Sequence, residues 1–296
     1  MLKNCKLCIR GCKVNRYKNK LGFCNASKNL EVSKAQLHFW EEPCISGENG
    51  SGTVFFSHCN FKCVFCQNHI ISQEGFGKTI TIERLSQIFL ELQEKGANNV
   101  NLVTPTHYVP QIIEALNIAK SKGLILPIIY NTNGYDSLET IQALKGYIDI
   151  YLPDYKYFND KYSLKYSKAL GYRKNLKEII KEMISQVGKP VFDEKGIIKQ
   201  GVIIRHLMLP GLLFDSKKII DDIYNSFGNY VYISIMNQYT PMNKVCNYPE
   251  INKPLNPKHY DSLIDYALSI GVTQGFIQDS GTSTTSYVPI FNNDGV

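Results

Sequence analysis

Cys59, Cys63 and Cys66 are spaced C-x3-C-x2-C within Cys59-Asn-Phe-Lys-Cys63-Val-Phe-Cys66. Thiolates are soft metal ligands. A mononuclear zinc site would want a fourth protein ligand. A cubane cluster takes one thiolate per iron, four in an ordinary electron carrier. Three closely spaced thiolates can therefore hold three irons and leave the fourth open to a small molecule. Phe61 and Phe65, inside the loop, can shield such a cluster or pack on an adenine ring. Cys5, Cys8, Cys12 and Cys24 form a second constellation, C-x2-C-x3-C followed by a thiol after Gly22-Phe23. That spacing serves zinc knuckles, rubredoxin-like iron and iron–sulfur clusters alike, and does not choose between zinc and iron–sulfur. Four thiolates would close the site, giving it a structural or electron-relaying role; free or redox thiols are the alternative. Cys44 and Cys246 stand alone and are expected to be ordinary thiols, although Cys44 could approach either constellation.

The rest of the composition frames these thiols. The chain has 296 residues, 44% hydrophobic and 20% charged, enough for an ordinary soluble core in one large domain or two small ones. Eight of the nine cysteines lie in the first 66 residues, which disfavours a scattered disulfide framework. No apolar segment of a signal peptide opens the chain, and no run of roughly 18 apolar residues reads as a membrane span. The thiols are accordingly expected in a reducing, cytoplasmic compartment, where close-spaced cysteines more often mean metal or redox chemistry. The net charge of +7 is spread along the chain without a basic run, and reads first as a solvated surface. An anionic substrate or an acidic partner is the other use for it.

Strand and helix candidates alternate after the cysteine-rich start. The strands are Gly52–Cys59, Asn99–Pro105, Leu126–Asn133, Asp149–Asp154, Val202–Leu209 and Tyr230–Gln238. Several are apolar almost throughout, as expected for parallel strands covered on both faces. Between them, Thr81 caps a helix striped by Ile82, Leu85, Ile88, Phe89 and Leu92 and closed by Gly96. Val109–Lys122 follows, with Pro110 in its first turn; Asp136 and Glu139 look like a capping-box start. One or two helices over Asn159–Val187, then Asp215–Phe227 and Pro257–Ile270, complete the set. Asp193–Gln200 reads as a loop or hairpin and Ser280–Ser286 as a polar loop. Six alternations predict an α/β fold with a parallel sheet, its active face at the C-terminal strand ends. Residues 1–48 read as a small cysteine-rich extension with a metal site, and 49–296 as the catalytic domain.

The C-x3-C-x2-C motif after the first of these strands resembles the radical S-adenosylmethionine (SAM) superfamily. Further segments resemble its uncharacterised branch related to the pyruvate formate-lyase activating enzyme. These include Glu42-Pro-Cys-Ile-Ser-Gly47, Asn101-Leu-Val-Thr-Pro-Thr-His-Tyr108, Asp149-Ile-Tyr-Leu-Pro-Asp154 and Arg205-His-Leu-Met-Leu-Pro-Gly211. The resemblance runs from about residue 5 to 240. It implies a partial (β/α)6 TIM-like barrel with a [4Fe-4S] cluster on Cys59, Cys63 and Cys66. In that superfamily SAM chelates the open iron and is reductively cleaved to methionine and a 5′-deoxyadenosyl radical, which removes hydrogen from a substrate. One departure is His58, where the resemblance leads one to expect glycine.

The strand ends carry the remaining candidates. Thr104-Pro105-Thr106 stands where many relatives have a Gly-Gly-Glu-Pro-like turn for the SAM amino group; backbone carbonyls and a hydroxyl can serve there, but no acidic side chain is present. His107 and Tyr108 follow and could face the substrate. Asn131 and Asn133 suit either ribose or carboxylate binding or a turn. Asp154 and Lys156 match an Asp-x-Lys pattern of the activating enzymes, with an internal ion pair as the alternative. Arg205, inside an apolar strand, needs a partner such as a carboxylate. Gln238 and Tyr239 are expected to look toward the substrate.

The expected function is a radical SAM enzyme acting on a protein, peptide or small molecule, one form being activation of a glycyl-radical enzyme. A flavodoxin- or ferredoxin-like electron donor is implied. Two alternatives remain: a zinc-bearing nucleic-acid-binding protein, and a passive iron–sulfur electron carrier.

Overall fold

The computed structural model describes residues 1–278 and 289–296; the loop expected at Ser280–Ser286 lies outside them. All six expected strands are present as β2 (Ser51–Phe56), β4 (Val100–Val103), β5 (Ile128–Thr132), β6 (Ile150–Pro153), β8 (Ile198–Leu207) and β9 (Tyr232–Met236). They run parallel in that order. Every residue of β2, β5 and β6 is buried, the signature of strands covered on both faces. Four short or irregular strands extend the sheet. β1 (Leu30–His38) pairs antiparallel with β2, and β3 (Lys78–Ile80) with β1. β10 (Gly275–Ile277) runs parallel to β9, and β7 (Val191–Phe192) makes a hairpin with β8 across the expected excursion. Among the described residues the main path runs from β10 to β3 without joining its ends, a partial barrel open at one side.

Nine helices among the described residues wrap this sheet. α1 (Pro43–Ser46) precedes β2 and α2 (His69–Ser72) follows the thiol loop. The larger connections are α3 (Ile82–Glu94), α4 (Val109–Ser121), α5 (Leu138–Ala143), α6 (Asp160–Ser167), α7 (Tyr172–Val187), α8 (Leu213–Phe227) and α9 (Pro257–Ser269). α3 forms as expected: the Thr81 hydroxyl accepts from Arg84 N, and Leu85, Ile88, Phe89 and Leu92 are buried on one stripe. Gly52 begins the main barrel strand because nothing larger fits; a Cβ there would lie 2.7 Å from the Asn99 carbonyl oxygen.

Two local expectations are corrected. α5 is capped by Ser137, whose side chain accepts from Thr140 N, and not by Asp136. Asp136 instead turns inward and accepts from Tyr130 Oη at 2.7 Å and Thr132 Oγ1 at 2.6 Å. A fully buried carboxylate needs those donors more than a helix end does. The first 48 residues also contain β1, which belongs to the main sheet. Its alternation is broken by a register shift between Val32 and Lys34. Lys34 sits at a buried position because its Nζ donates to the Ile290 carbonyl at 2.7 Å and to Asn292 Oδ1 at 2.9 Å.

Two buried histidines add a pH term to stability. His107 Nε2 donates to the Ser57 carbonyl and His206 Nδ1 to the Tyr155 carbonyl. Burial pushes their pKa down to about 3 and about 4. Both stay neutral in the fold while the unfolded imidazoles bind protons below about pH 6.5. Stability is therefore full above that value and falls with acidification toward the folded pKa values. Between pH 8 and 5.5 each histidine should remove about 1.4 kcal/mol. Urea unfolding of wild type and His206→Asn at the two pH values checks this: the variant should lose about half of the pH-dependent shift, and an identical shift would refute the assignment.

Candidate active site

The thiol loop leaves the C-terminal end of β2 and is tied down along its length. Lys62 N donates to Ser167 O at 3.1 Å and Val64 N to Tyr166 O at 2.9 Å, anchoring it to α6. The sulfurs have polar partners of their own. Cys63 Sγ lies 3.0 Å from Ser167 Oγ, and Cys66 Sγ lies 3.3 Å from Ser72 Oγ. Cys59 Sγ accepts from Phe61 N at 3.3 Å and from Asn133 Nδ2 at 3.5 Å. Burial pushes the Cys59 and Cys63 thiols up to about 12, so without a metal they would be neutral. Bound metal deprotonates a thiol outright, and outer-shell donors of this kind suit metal-held sulfur. The three thiols thus fit an iron–sulfur site. Phe61 packs against Tyr135 and Tyr172 at 5.1 and 5.6 Å between ring centres, shielding the loop.

His58, in place of the expected glycine, has φ +72°. Its Nε2 lies 3.0 Å from Glu31 Oε2, and Gly75 leaves space for the ring, since a Cβ there would sit 2.7 Å from His58 Cε1. The left-handed backbone is thus retained with an imidazole anchored away from the strand end.

Beside the loop lies a buried charge network. Lys156 Nζ lies 2.8 Å from Asp154 Oδ2, and Arg205 Nε lies 3.4 Å from Asp154 Oδ1. Arg205 Nη2 donates to Asn131 Oδ1 at 2.7 Å and Nη1 to Glu41 Oε2 at 3.0 Å. Glu41 Oε1 in turn accepts from Asn101 Nδ2 at 3.0 Å. Burial works against the charge of Lys156, but Asp154 outweighs it and holds the ammonium above the usual lysine range. Tyr172 ties this network to the thiol loop: its ring packs on Phe61, and its hydroxyl donates to the Asp154 carbonyl at 2.6 Å and accepts from Lys156 N at 3.1 Å. Metal-loop thiols and a mixed-charge cradle therefore meet at the C-terminal strand ends.

The profile of the Radical SAM superfamily matches residues 53–223, which include this loop and all of this cradle except Glu41. The chain belongs to the Radical SAM superfamily. It is 34% identical over 277 residues to Uncharacterized protein MJ0674 of Methanocaldococcus jannaschii, covering 90% of this chain and 75% of that one. Among solved structures it is similar in fold to SuiB of Streptococcus suis bound to the precursor peptide SuiA. That likeness has a TM-score of 0.53 and 15% identity, and covers 76% of this chain and 47% of SuiB. The [FeFe]-hydrogenase maturase HydG is similar at a TM-score of 0.51 and 15% identity, over 74% of this chain and 49% of HydG. The chain thus spans about half the length of these solved structures. As a radical SAM protein it implies a [4Fe-4S] cluster and SAM as cofactors.

The remaining candidates of this radical SAM protein divide into those at the cradle and those elsewhere. Thr104 has φ +58° and its N–H donates to Asn131 O at 2.9 Å, placing the Thr104-Pro105 turn beside the cradle. Thr106 and His107 are buried and line a cavity with the N-terminal thiols. Tyr108 is fully buried against Phe56. These three side chains are thus buried in the protein interior. Asn133 makes the expected turn, its Oδ1 accepting from Tyr135 N at 3.0 Å, while its Nδ2 donates to Asn60 Oδ1 at 2.6 Å. Tyr239 is buried, donating to Ile251 O at 2.7 Å, and Gln238 holds Gln67 Nε2 through its carbonyl at 3.2 Å. Cys44 packs among Ile45, Ile129, Ile150 and Leu152 as an ordinary core thiol, and Cys246 is exposed. No helix among the described residues is long and apolar enough to cross a membrane.

Glu41 and Glu42 were not singled out by residue type or spacing. Glu42 is buried, and burial pushes its carboxyl up against the opposing pull of Arg205. The available signal was Arg205 itself: a guanidinium in an apolar strand demands more negative charge than Asp154 alone. Removing the arginine would leave Glu41 buried without its cation and Asp154 with Lys156 alone. Arg205→Met should cost about 3–5 kcal/mol in urea unfolding. Adding Glu41→Gln should recover part of the loss; a fully additive double variant would refute the pairing.

Proposed function

We propose that the chain uses Cys59, Cys63 and Cys66 to hold a site-differentiated [4Fe-4S] cluster and binds SAM across the adjoining cradle. The observation that carries this reading is the way Tyr172 joins the thiol loop to the Asp154–Arg205 network: its ring packs on Phe61 at 5.6 Å, and its hydroxyl donates to the Asp154 carbonyl at 2.6 Å and accepts from Lys156 N at 3.1 Å. Lys156 and Arg205 suit the SAM carboxylate; Asp154 suits its amino group or a ribose hydroxyl. The carbonyls around Thr104, Pro105 and Thr106 are further acceptors for the ammonium, and Asn133 holds the cluster loop in place through Asn60. When bound, cluster and SAM supply a 5′-deoxyadenosyl radical that abstracts hydrogen. The protein's own part is orientation and exclusion of water: Phe61 and Phe65 are buried in the loop, and Ser167, Ser72 and Asn133 hold its sulfurs.

The substrate class we favour is a protein or peptide, admitted through the open side of the partial barrel. SuiB, of similar fold, is bound to a precursor peptide. Activation of a glycyl-radical enzyme is one form of this reading. It includes a cytoplasmic location, consistent with nine free thiols, and a reduced flavodoxin- or ferredoxin-like donor. It also treats residues 1–48 as a cysteine-rich extension with its own metal site, zinc or iron–sulfur, on the barrel of 49–296.

Anaerobic reconstitution followed by dithionite and SAM tests the chemistry. Release of 5′-deoxyadenosine is expected, and none from a fully loaded protein would overturn the reading. Cys63→Ala should abolish both the cluster's visible absorbance and the cleavage. Lys156→Met should weaken SAM binding about 10- to 100-fold, the worth of one charged hydrogen bond. Unchanged affinity in calorimetric titration would remove Lys156 from the SAM site.

A further inference from the structure

We infer that Cys5, Cys8, Cys12 and Cys24 hold a second iron–sulfur cluster, with Arg16 as its built-in counter-cation, and that this extension is the port where an acidic electron carrier docks. This deepens the metal-site reading of the extension. Arg16 is 2% exposed. Its Nη2 donates to Cys5 Sγ at 3.3 Å and Cys24 Sγ at 3.7 Å, and its Nη1 to the His107 carbonyl at 2.6 Å. It has no ion pair with a carboxylate among the described residues. A buried guanidinium facing neutral thiols would lack an anion, at a cost of several kcal/mol. Metal-bound thiolates supply that anion at the two sulfurs Arg16 already reaches.

The local backbone is built around the four sulfurs. Cys5 N donates to Val14 O at 3.0 Å and Lys13 N to Cys5 O at 2.9 Å, folding the first pair back on itself. Gly22 leaves room for Cys12, whose Sγ would lie 3.1 Å from a Cβ there. All four thiols line one cavity. Four thiolates would serve zinc or a cubane equally in charge, but only an iron–sulfur centre can pass an electron, and the cavity that the four thiols line also borders Asn60, next to Cys59.

Placement gives this second centre its role. Asn60, the neighbour of Cys59, also lines the extension's cavity, and Arg10 Nε donates to its carbonyl at 2.7 Å. A single residue thus separates the two thiol sets. Outside, eight of the first 30 residues are Lys or Arg and none is Asp or Glu. Lys3, Lys6, Lys13, Lys18 and Lys20 are exposed. That face complements an acidic flavodoxin- or ferredoxin-class carrier. One electron enters from the reduced carrier and one leaves to the SAM-site cluster. The extension's centre returns to its starting oxidation level, and no bond forms or breaks there.

Iron, sulfide and zinc counts on anaerobically purified full-length protein test the cluster. About eight irons and eight sulfides per chain are expected. Cys63→Ala and the Cys5→Ala/Cys24→Ala pair should each retain about four. Arg16→Met should lose the extension's iron and Arg16→Lys regain it. One zinc beside about four irons, or four irons that all vanish in Cys63→Ala, would overturn the inference. These counts stand apart from SAM cleavage, so failure of the radical reading would not be mistaken for failure here. For the port, Lys3→Glu/Lys6→Glu should slow SAM cleavage driven by reduced flavodoxin about tenfold or more while leaving the dithionite-driven rate unchanged. Equal rates with flavodoxin, or salt-dependent RNA binding lost in that variant without a rate change, would overturn the docking.

Discussion

Arg205 brings a full positive charge into the interior of the barrel, and the surrounding structure is organised to satisfy it. Its partners come from β5, from the residue after β6 and from the segment before α1. That last partner, Glu41, arrives from outside the strand–helix repeat and also holds Asn101 on β4. A single guanidinium thereby links four separate stretches of backbone at the end of the sheet where the thiol loop lies. Burial favours neither the cation nor its carboxylates alone, so the network persists only as a set. The same set leaves Lys156, through Asp154, beside the thiol loop.

This arrangement explains why the barrel can remain open. A closed barrel positions its strand ends by ring closure; here β10 and β3 are unpaired ends of the main path. The cross-strand contacts of Arg205 and the anchoring of the thiol loop on α6 supply positional constraints at the open mouth. Helix α1 adds another from below, placing Cys44 and Ile45 among Ile129, Ile150, Leu152 and Ile203.

What the sequence made legible follows from the range of the interactions involved. The six parallel strands and the α3 stripe were legible because burial on two faces, or on one helical face, imposes a local pattern. The thiol motif was legible because ligand spacing is a property of one short loop. β1 was obscured by a register shift and by Lys34, whose partners are about 260 residues away in sequence. Asp136 resembled a helix cap, but its donors, Tyr130 and Thr132, belong to a strand. Glu41 was missed because its partner is 164 residues downstream. Strand-end position brought Asp154, Lys156 and Arg205 forward together, and they do lie in contact; it says less about Thr106, His107, Tyr108 and Tyr239, which are buried in packing of their own. At a strand end the chain turns, and the next side chains point wherever the neighbouring packing admits them.

Charge is also unevenly partitioned along the chain. The first 30 residues carry eight basic and no acidic side chains, against a whole-chain excess of seven, so residues 31–296 have a net charge near −1. The positive character is a property of the extension, while the barrel pairs its buried cations internally. Arg16 follows a different rule from Arg205: one is surrounded by carboxylates, the other reaches two sulfurs. Burial imposes the same demand on both: Glu41 and Asp154 face Arg205, and Cys5 and Cys24 are the side chains that Arg16 Nη2 reaches. His107 connects the two thiol neighbourhoods, with its carbonyl on Arg16 and its ring on the Ser57 carbonyl just before the thiol loop, so the path between them is short, buried and hydrogen-bonded.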